Sequence, residues 1–157
     1  MPILNLKEID RRILQQLQTN ARLSNVDLSQ RVNLSQSPCL RRVRKLEERG
    51  IIKEYVTLID QNAVGLPVSV FVSVSLEKQI EPALELFEKT IQSRPEVMEC
   101  YLMTGDADYL LRVVTRDLAA YERFLLDHLT RIEGVSSIKS SFALKQVTYK
   151  TVLPIQL

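Results

Sequence analysis

The sequence predicts an α+β chain in two parts, three helices and a short strand within residues 1–60 and a β-α-β-β-α-β unit over residues 68–157. Three observations predict this. Apolar residues recur at spacings of three and four through the first fifty positions, then alternate strictly from Val68 to Leu76, so the period changes from that of a helix to that of a strand. Between them, Asp60-Gln61-Asn62-Ala63-Val64-Gly65-Leu66-Pro67 has turn residues and no period, as a connection over 60–67 should. Charge also divides there: residues 1 to 60 carry 11 basic and 7 acidic groups and residues 61 to 157 carry 10 and 12, so a net charge of +2 splits into +4 and −2.

In the first part, Leu6, Ile9, Ile13, Leu14 and Leu17 share one helical face, with Glu8, Arg11 and Arg12 outside it. After the polar break Thr19-Asn20-Ala21-Arg22, Ser24 can cap a helix of about two turns in which Leu28 and Val32 point inward. Asn33-Leu34-Ser35 interrupts, and Ser35 or Ser37 can cap a third helix with Pro38 in its first turn. Leu40, Val43 and Leu46 are expected as its inner stripe and Gly50 as its terminator. Ile51 to Ile59, rich in β-branched residues and containing Tyr55, reads as a strand or wing.

In the second part, Val68, Val70, Val72, Val74 and Leu76 alternate with Ser69, Phe71, Ser73 and Ser75. Ile80, Leu84, Phe87 and Ile91 return to helical spacing, with Pro82 early, and Val97 to Thr104 is again strand-like. Gly105-Asp106-Ala107-Asp108 supplies turn chemistry before a strand from Tyr109 to Thr115. Asp117 can cap a helix carrying Leu118, Tyr121, Leu125 and Leu129, ended by Gly134. A last strand region starts at Val135 and extends past Tyr149, short of Pro154. One mixed sheet with both helices on one face is expected, and its other face, with Phe71, Tyr101 and Phe142, would need a partner, most simply a second copy.

Composition narrows the function classes. Nothing approaches the roughly 18 consecutive apolar residues of a membrane span, and the first 24 residues have no apolar secretory core, so a cytoplasmic protein without membrane contact is expected. Cys39 and Cys100 lack the paired spacing of a metal knuckle and are expected as buried, reduced thiols; His128 is the single histidine, so no metal site is expected. Without a nucleophile–base set or a phosphate-cradling glycine loop, neither catalytic residues nor a cofactor are expected.

The basic excess is concentrated. Arg31, Arg41, Arg42, Arg44 and Lys45 fall in residues 31 to 45, which hold no Asp or Glu, and a local field of that sign suits a polyanion. A short helix, a tight turn and a basic third helix over residues 24 to 49 match the helix-turn-helix, whose second element presents its early residues to base edges in the major groove. Ser35, Gln36, Ser37, Pro38, Arg41, Arg42, Arg44 and Lys45 are the candidate DNA contacts, with Arg41, Arg42 and Lys45 foremost because guanidinium and ammonium groups bind guanine and phosphate. The alternative is a metabolite-binding module whose cationic helix face contacts a protein.

The chain resembles a known family through Ile9-Asp10-Arg11-Arg12-Ile13-Leu14, Leu28-Ser29-Gln30-Arg31-Val32, Ser35-Gln36-Ser37-Pro38-Cys39-Leu40-Arg41-Arg42-Val43 and Leu46-Glu47-Glu48-Arg49-Gly50-Ile51-Ile52, in this order. Thr104-Gly105-Asp106-Ala107-Asp108-Tyr109-Leu110-Leu111-Arg112-Val113 and Ser140-Ser141-Phe142-Ala143-Leu144 extend the likeness over essentially the whole chain. It is similar to the Lrp/AsnC, or feast/famine, regulators. That resemblance implies a winged helix-turn-helix on operator DNA joined to a ferredoxin-like domain that forms homodimers and then rings, often octamers, on the nucleoid. It implies a small amino-acid effector held by Met103, Thr104, Gly105, Asp106 and Asp108 and by Ser136, Ser137, Ser140 and Ser141. A carboxylate there suits an α-ammonium, and nearby N–H and hydroxyl groups suit an α-carboxylate. The chain departs from the family at Ala107, where many relatives carry an aromatic residue, which bears on the pocket's shape, and at Leu40, where some carry Trp, which bears on local packing.

Overall fold

A computed structural model describes residues 6–156; the first five residues of the expected 1–60 unit and Leu157 lie outside the described residues. The chain divides into two compact units, one taking in the residues up to Thr57 together with those from Val147 on, the other running Leu58–Gln146.

The first unit is built on α1 (Glu8–Thr19), α2 (Asn25–Arg31) and α3 (Gln36–Glu48). Ser24 caps α2 by accepting the Asp27 amide at 3.1 Å. Both α2 and α3 stop on a residue in the left-handed region, Asn33 (φ 55°) and Gly50 (φ 66°). In each case the residue after it donates back to the final turn: Leu34 to the Ser29 carbonyl and Ile51 to the Leu46 carbonyl, both at 2.9 Å. The α2–α3 turn therefore has a defined geometry. Its core is Ile13, Leu14, Leu17, Leu28, Val32, Cys39 and Leu46.

Leu40 departs from the expected inner stripe, being 39 % exposed, while Cys39 is fully buried. The stripe facing the core is Cys39, Val43 and Leu46, because steps of four and three keep to one face of a 3.6-residue helix whereas 40, 43 and 46 precess around it. The expected strand over Ile51 to Ile59 is also not formed. Ile51 and Ile52 pack against the core, but Lys53 to Ile59 have no neighbouring strand to pair with among the described residues, so strand propensity alone leaves them extended and open.

By its contacts the segment from Val147 on groups with this first unit, although it was expected within the 68–157 domain. Gln18 accepts from the Leu153 amide at 2.7 Å and donates to its carbonyl at 3.3 Å, Gln15 donates to the Ile155 carbonyl at 3.1 Å, and Ile155 packs against the helical core. An amide side chain can donate and accept at once, so Gln18 engages both backbone groups of Leu153, which is why a glutamine-bearing helix face holds this tail.

The second unit runs β1 (Val68–Leu76), α4 (Glu81–Gln92), β2 (Val97–Leu102), β3 (Tyr109–Thr115), α5 (Leu118–Asp127), a 3-10 turn (Leu129–Arg131) and β4 (Val135–Phe142). The sheet order is β2-β3-β1-β4, and every neighbouring pair is antiparallel, not mixed as expected, because β3 inserts between β1 and β2, the two strands joined by a crossover helix. One face buries Val70, Val72, Val74, Leu111 and Val113 beneath Phe87, Ile91, Tyr121 and Phe124, with Phe87 stacked on Tyr109 at a centroid distance of 4.4 Å. Asp117 caps α5, accepting the Ala120 amide at 2.6 Å, and α5 ends at Asp127, short of the expected Gly134, so Leu129 joins the core from the 3-10 turn.

β4 ends at Phe142 instead of extending past Tyr149. Phe142 lies opposite Val70, near the start of β1, and one further bond, from the Ala143 amide to the Ser69 carbonyl at 3.0 Å, exhausts that strand as a partner. Phe142 faces the helix side, edge-on to Tyr121 at 5.4 Å, and not the open face where it was expected. The open face carries Phe71, Tyr101, Leu110 and an Arg112–Glu99 ion pair of 3.0 Å. Cys100 is exposed, contrary to expectation, because β2 is an edge strand with nothing beyond it.

Two leucines of α3 check this packing. Leu46→Ala should cost about 2–5 kcal/mol in urea denaturation and Leu40→Ala under about 1 kcal/mol, since only the first opens a cavity. Although the residue is exposed as a whole, partial desolvation of its sulfur, with the Glu88 carboxylate nearby, raises the Cys100 thiol to about 11. Because the thiolate is the nucleophile, alkylation of Cys100 should be slow at pH 8 and accelerate as pH rises towards 11, and buried Cys39 should react only on unfolding.

Candidate functional site

The outward face of α3 presents Gln36, Ser37, Leu40, Arg41, Arg44 and Lys45 to solvent, with Pro38 partly covered in the first turn. Ser35 precedes the helix with extended backbone, and its hydroxyl makes no capping bond. Asn25, at the start of α2, donates to the Gln36 carbonyl at 2.9 Å and so ties the first turn of α2 to that of α3. That link is not legible from residue spacing.

Arg42 does not join this outward surface. Its guanidinium donates to Asp10 of α1 at 2.9 Å, with 32 % of the arginine and 11 % of the aspartate side chain exposed. It was expected among the foremost DNA contacts; instead it is half-buried, because it follows Cys39 by three residues and shares the inner side of the helix. Asp10 was legible as the one charge on the same stripe as Ile13, Leu14 and Leu17, a placement that calls for a cationic partner. A pair of this kind fixes the rotation of α3 about its axis and thereby which cations reach outward.

In the second unit, the β2–β3 hairpin carries Met103, Thr104, Gly105 and Asp106 on the surface. Gly105 has φ 128°, a conformation that L side chains avoid. The hairpin is closed by the Met103 amide donating to the Asp108 carbonyl at 2.8 Å. Ser75, at the end of β1, donates to the Asp106 carbonyl at 3.5 Å and accepts from the Ser136 hydroxyl at 3.0 Å. Ser137 lies opposite Ser75 on the open face. The hairpin and Ser136–Ser137 thus meet at one end of the sheet through Ser75, which sequence reasoning did not single out.

The remaining expected residues divide. Asp108 is buried, accepting from the Leu76 amide at 2.6 Å and the Gln79 side chain at 2.5 Å, so its carboxylate is engaged within the fold and is not presented to a ligand. Ser140 faces the helix side and hydrogen-bonds the Tyr121 hydroxyl, whereas Ser141, opposite Phe71, lies on the open face. A cleft of about 480 Å³ lies elsewhere, along α4 and β2, lined by Glu88, Met98, Cys100 and Tyr109 among others. Burial and the hydrogen bond to Glu88 push the Tyr109 hydroxyl well above its ordinary range, so it stays a neutral donor at physiological pH.

A helix-turn-helix with a cationic outer face, carried on the same chain as a one-side-covered βαββαβ sheet, defines a DNA-binding regulator with a separate ligand-binding domain. The winged helix-turn-helix DNA-binding family matches residues 6–53 and the Lrp/AsnC ligand-binding domain matches residues 69–153. The chain belongs to the Lrp/AsnC family of transcriptional regulators. It is 52 % identical over 150 residues, 96 % of this chain and 98 % of the relative, to the Bkd operon transcriptional regulator of Pseudomonas aeruginosa. It is 38 % identical over 152 residues, 97 % of this chain and 93 % of the other, to the leucine-responsive regulatory protein of Escherichia coli. Among solved structures it resembles a Neisseria meningitidis transcriptional regulator in complex with L-methionine, with a TM-score of 0.89, 43 % identity, and coverage of 95 % of this chain and 96 % of that one. No helix among the described residues is long and apolar enough to cross a membrane.

The two aspartates of the hairpin separate structure from recognition. Asp108→Ala should destabilise the second unit by about 1–3 kcal/mol, leaving the Leu76 amide unpaired, whereas Asp106→Ala should leave thermal stability unchanged in a calorimetric comparison.

Proposed function

We propose that this chain is a sequence-specific, cytoplasmic, nucleoid-associated regulator that reads double-stranded operator DNA through α3 and whose assembly or DNA affinity responds to a small amino acid. The observation that carries it is the outward face of α3, where Ser37, Arg41, Arg44 and Lys45 stand exposed on a stretch without a carboxylate from residue 31 to 45. Arg41 and Arg44 can bind guanine edges bidentately, Lys45 can reach phosphate, and the uncapped start of α3 with Ser35, Gln36 and Ser37 offers donors to a backbone phosphate. Arg42 acts differently, as a positioning residue that holds α3 against Asp10.

A homodimer formed through the open sheet face would cover Phe71 and Tyr101 and carry two reading helices to half-sites about 34 Å apart, one turn of DNA. Further assembly of dimers to an octamer follows the family. Support for the amino-acid effector comes from the matched ligand-binding domain and from the methionine bound by the Neisseria relative. Met103, Thr104, Gly105, Asp106, Ser136, Ser137 and Ser141 offer it a carboxylate, hydroxyls and backbone amides on open surface, where a neighbouring subunit would complete the enclosure. Coupling requires that the effector bind the states of different DNA affinity unequally, and DNA must then alter effector affinity by the same factor.

Titration of the full-length protein onto its own upstream DNA across a salt series, with and without a panel of amino acids, tests this. Affinity should fall steeply with salt, and one amino acid should shift it together with the assembly size seen by light scattering. Arg41→Ala should weaken binding about tenfold or more with an unchanged melting temperature, and Asp106→Ala should abolish the effector shift with DNA binding intact. Salt-independent or absent DNA binding would turn the cationic face towards a protein partner instead.

A further inference from the structure

Given that α3 is the DNA-reading helix, as proposed above, we infer that Leu40 is a specificity-determining residue that contacts the 5-methyl group of a thymine in the operator. Leu40 lies in the first half of α3, one turn beyond Gln36 and Ser37 and one turn before Arg44, all of them exposed. It is 39 % exposed, whereas Cys39 beside it is fully buried and the core contacts of α3 are made by Cys39, Val43 and Leu46. The fold of the first unit therefore does not draw on it. Among Gln36, Ser37, Leu40, Arg41, Arg44 and Lys45, it is the residue without a hydrogen-bonding side chain.

The chemistry of the major groove then leaves few partners. Phosphates and the edges of guanine, adenine and cytosine are donors, acceptors or charges, and a leucine beside them would strip their hydration without replacing it. The pyrimidine 5-methyl group is the apolar feature of that surface, and on a thymine it distinguishes a T·A pair from the others. A residue in the early turns of a reading helix is at the depth where base edges are met, and the Asp10–Arg42 pair, by fixing the helix rotation, fixes where Leu40 points. Burying one methyl group against a leucine is worth about a fourfold change in affinity.

Uracil substitution removes that methyl and nothing else. The full-length protein would be footprinted on its upstream DNA, each thymine in the footprint replaced singly by uracil, and affinities compared at fixed salt for the native protein, Leu40→Ala and Leu40→Met. The native protein should lose about fourfold at one thymine per half-site. Leu40→Ala should bind the all-thymine DNA about fourfold more weakly, be indifferent to uracil at that position, and keep the native salt slope and melting temperature. Leu40→Met, which retains an apolar reach, should keep the sensitivity. If Leu40→Ala retains every uracil effect of the native protein, or if the native protein shows none, the contact is refuted while DNA reading by α3 stands. Failure of the native protein to select its DNA at all would instead overturn α3 as the reading helix, and Leu40's role with it.

Discussion

Arg42 lies in the most cationic stretch of the chain and yet turns inward, and the cationic outer face of α3 depends on that turn. An arginine paired with a carboxylate that is only 11 % exposed is held in a narrow range of positions, because separating the two would leave a partly buried charge without a partner. Rotation of α3 by even one residue's worth would break the pair, expose Cys39 and bury a lysine or arginine. The pair therefore acts as a register pin: Arg41 and Arg44 point outward because Arg42 and Cys39 do not. The two left-handed stops at Asn33 and Gly50 fix where α3 begins and ends, and the ion pair fixes which way it faces.

The second unit obeys a different constraint, that of a sheet covered on one side. Its helices bury the centre of one face, while the other retains Phe71 and Tyr101 beside an Arg112–Glu99 pair; the Tyr101 hydroxyl also donates to Glu99, at 3.0 Å. An apolar patch organised around satisfied charges suits association between folded subunits, since the charges cost little to bring together in water and define orientation when covered. The hairpin from Met103 to Asp108 sits at one end of this sheet with its shape set internally: Asp108 and Gly105 determine the loop, which frees Asp106 and Thr104 for other duties.

Sequence patterning located what depends on local period. The alternation from Val68 to Leu76 set the core face of β1 correctly, and Ser24, Asp117 and Gly50 marked helix ends because capping is a short-range bond. Leu40 was misplaced by a step of three taken twice, which drifts about 120° around a helix, so an apolar residue near the stripe was counted within it. Ile51 to Ile59 and the stretch beyond Phe142 have strand composition, but a strand exists only where a neighbour offers its backbone groups, and sequence does not announce the neighbour. Among the candidate effector residues, the turn chemistry of Gly105 was legible, whereas the engagement of Asp108 by Leu76 and Gln79 depends on contacts about thirty residues away.

The last residues, pinned by Gln15 and Gln18, make the reading unit discontinuous: the chain enters the sensing unit at Leu58 and returns from it at Val147. The chain thus crosses between the two units twice. Cutting the polypeptide after residue 60 would accordingly not yield the native head of the protein. It would leave α1 without the segment that Gln15 and Gln18 hold and without Ile155 against its core, a fragment that keeps α3 but lacks one wall of its support.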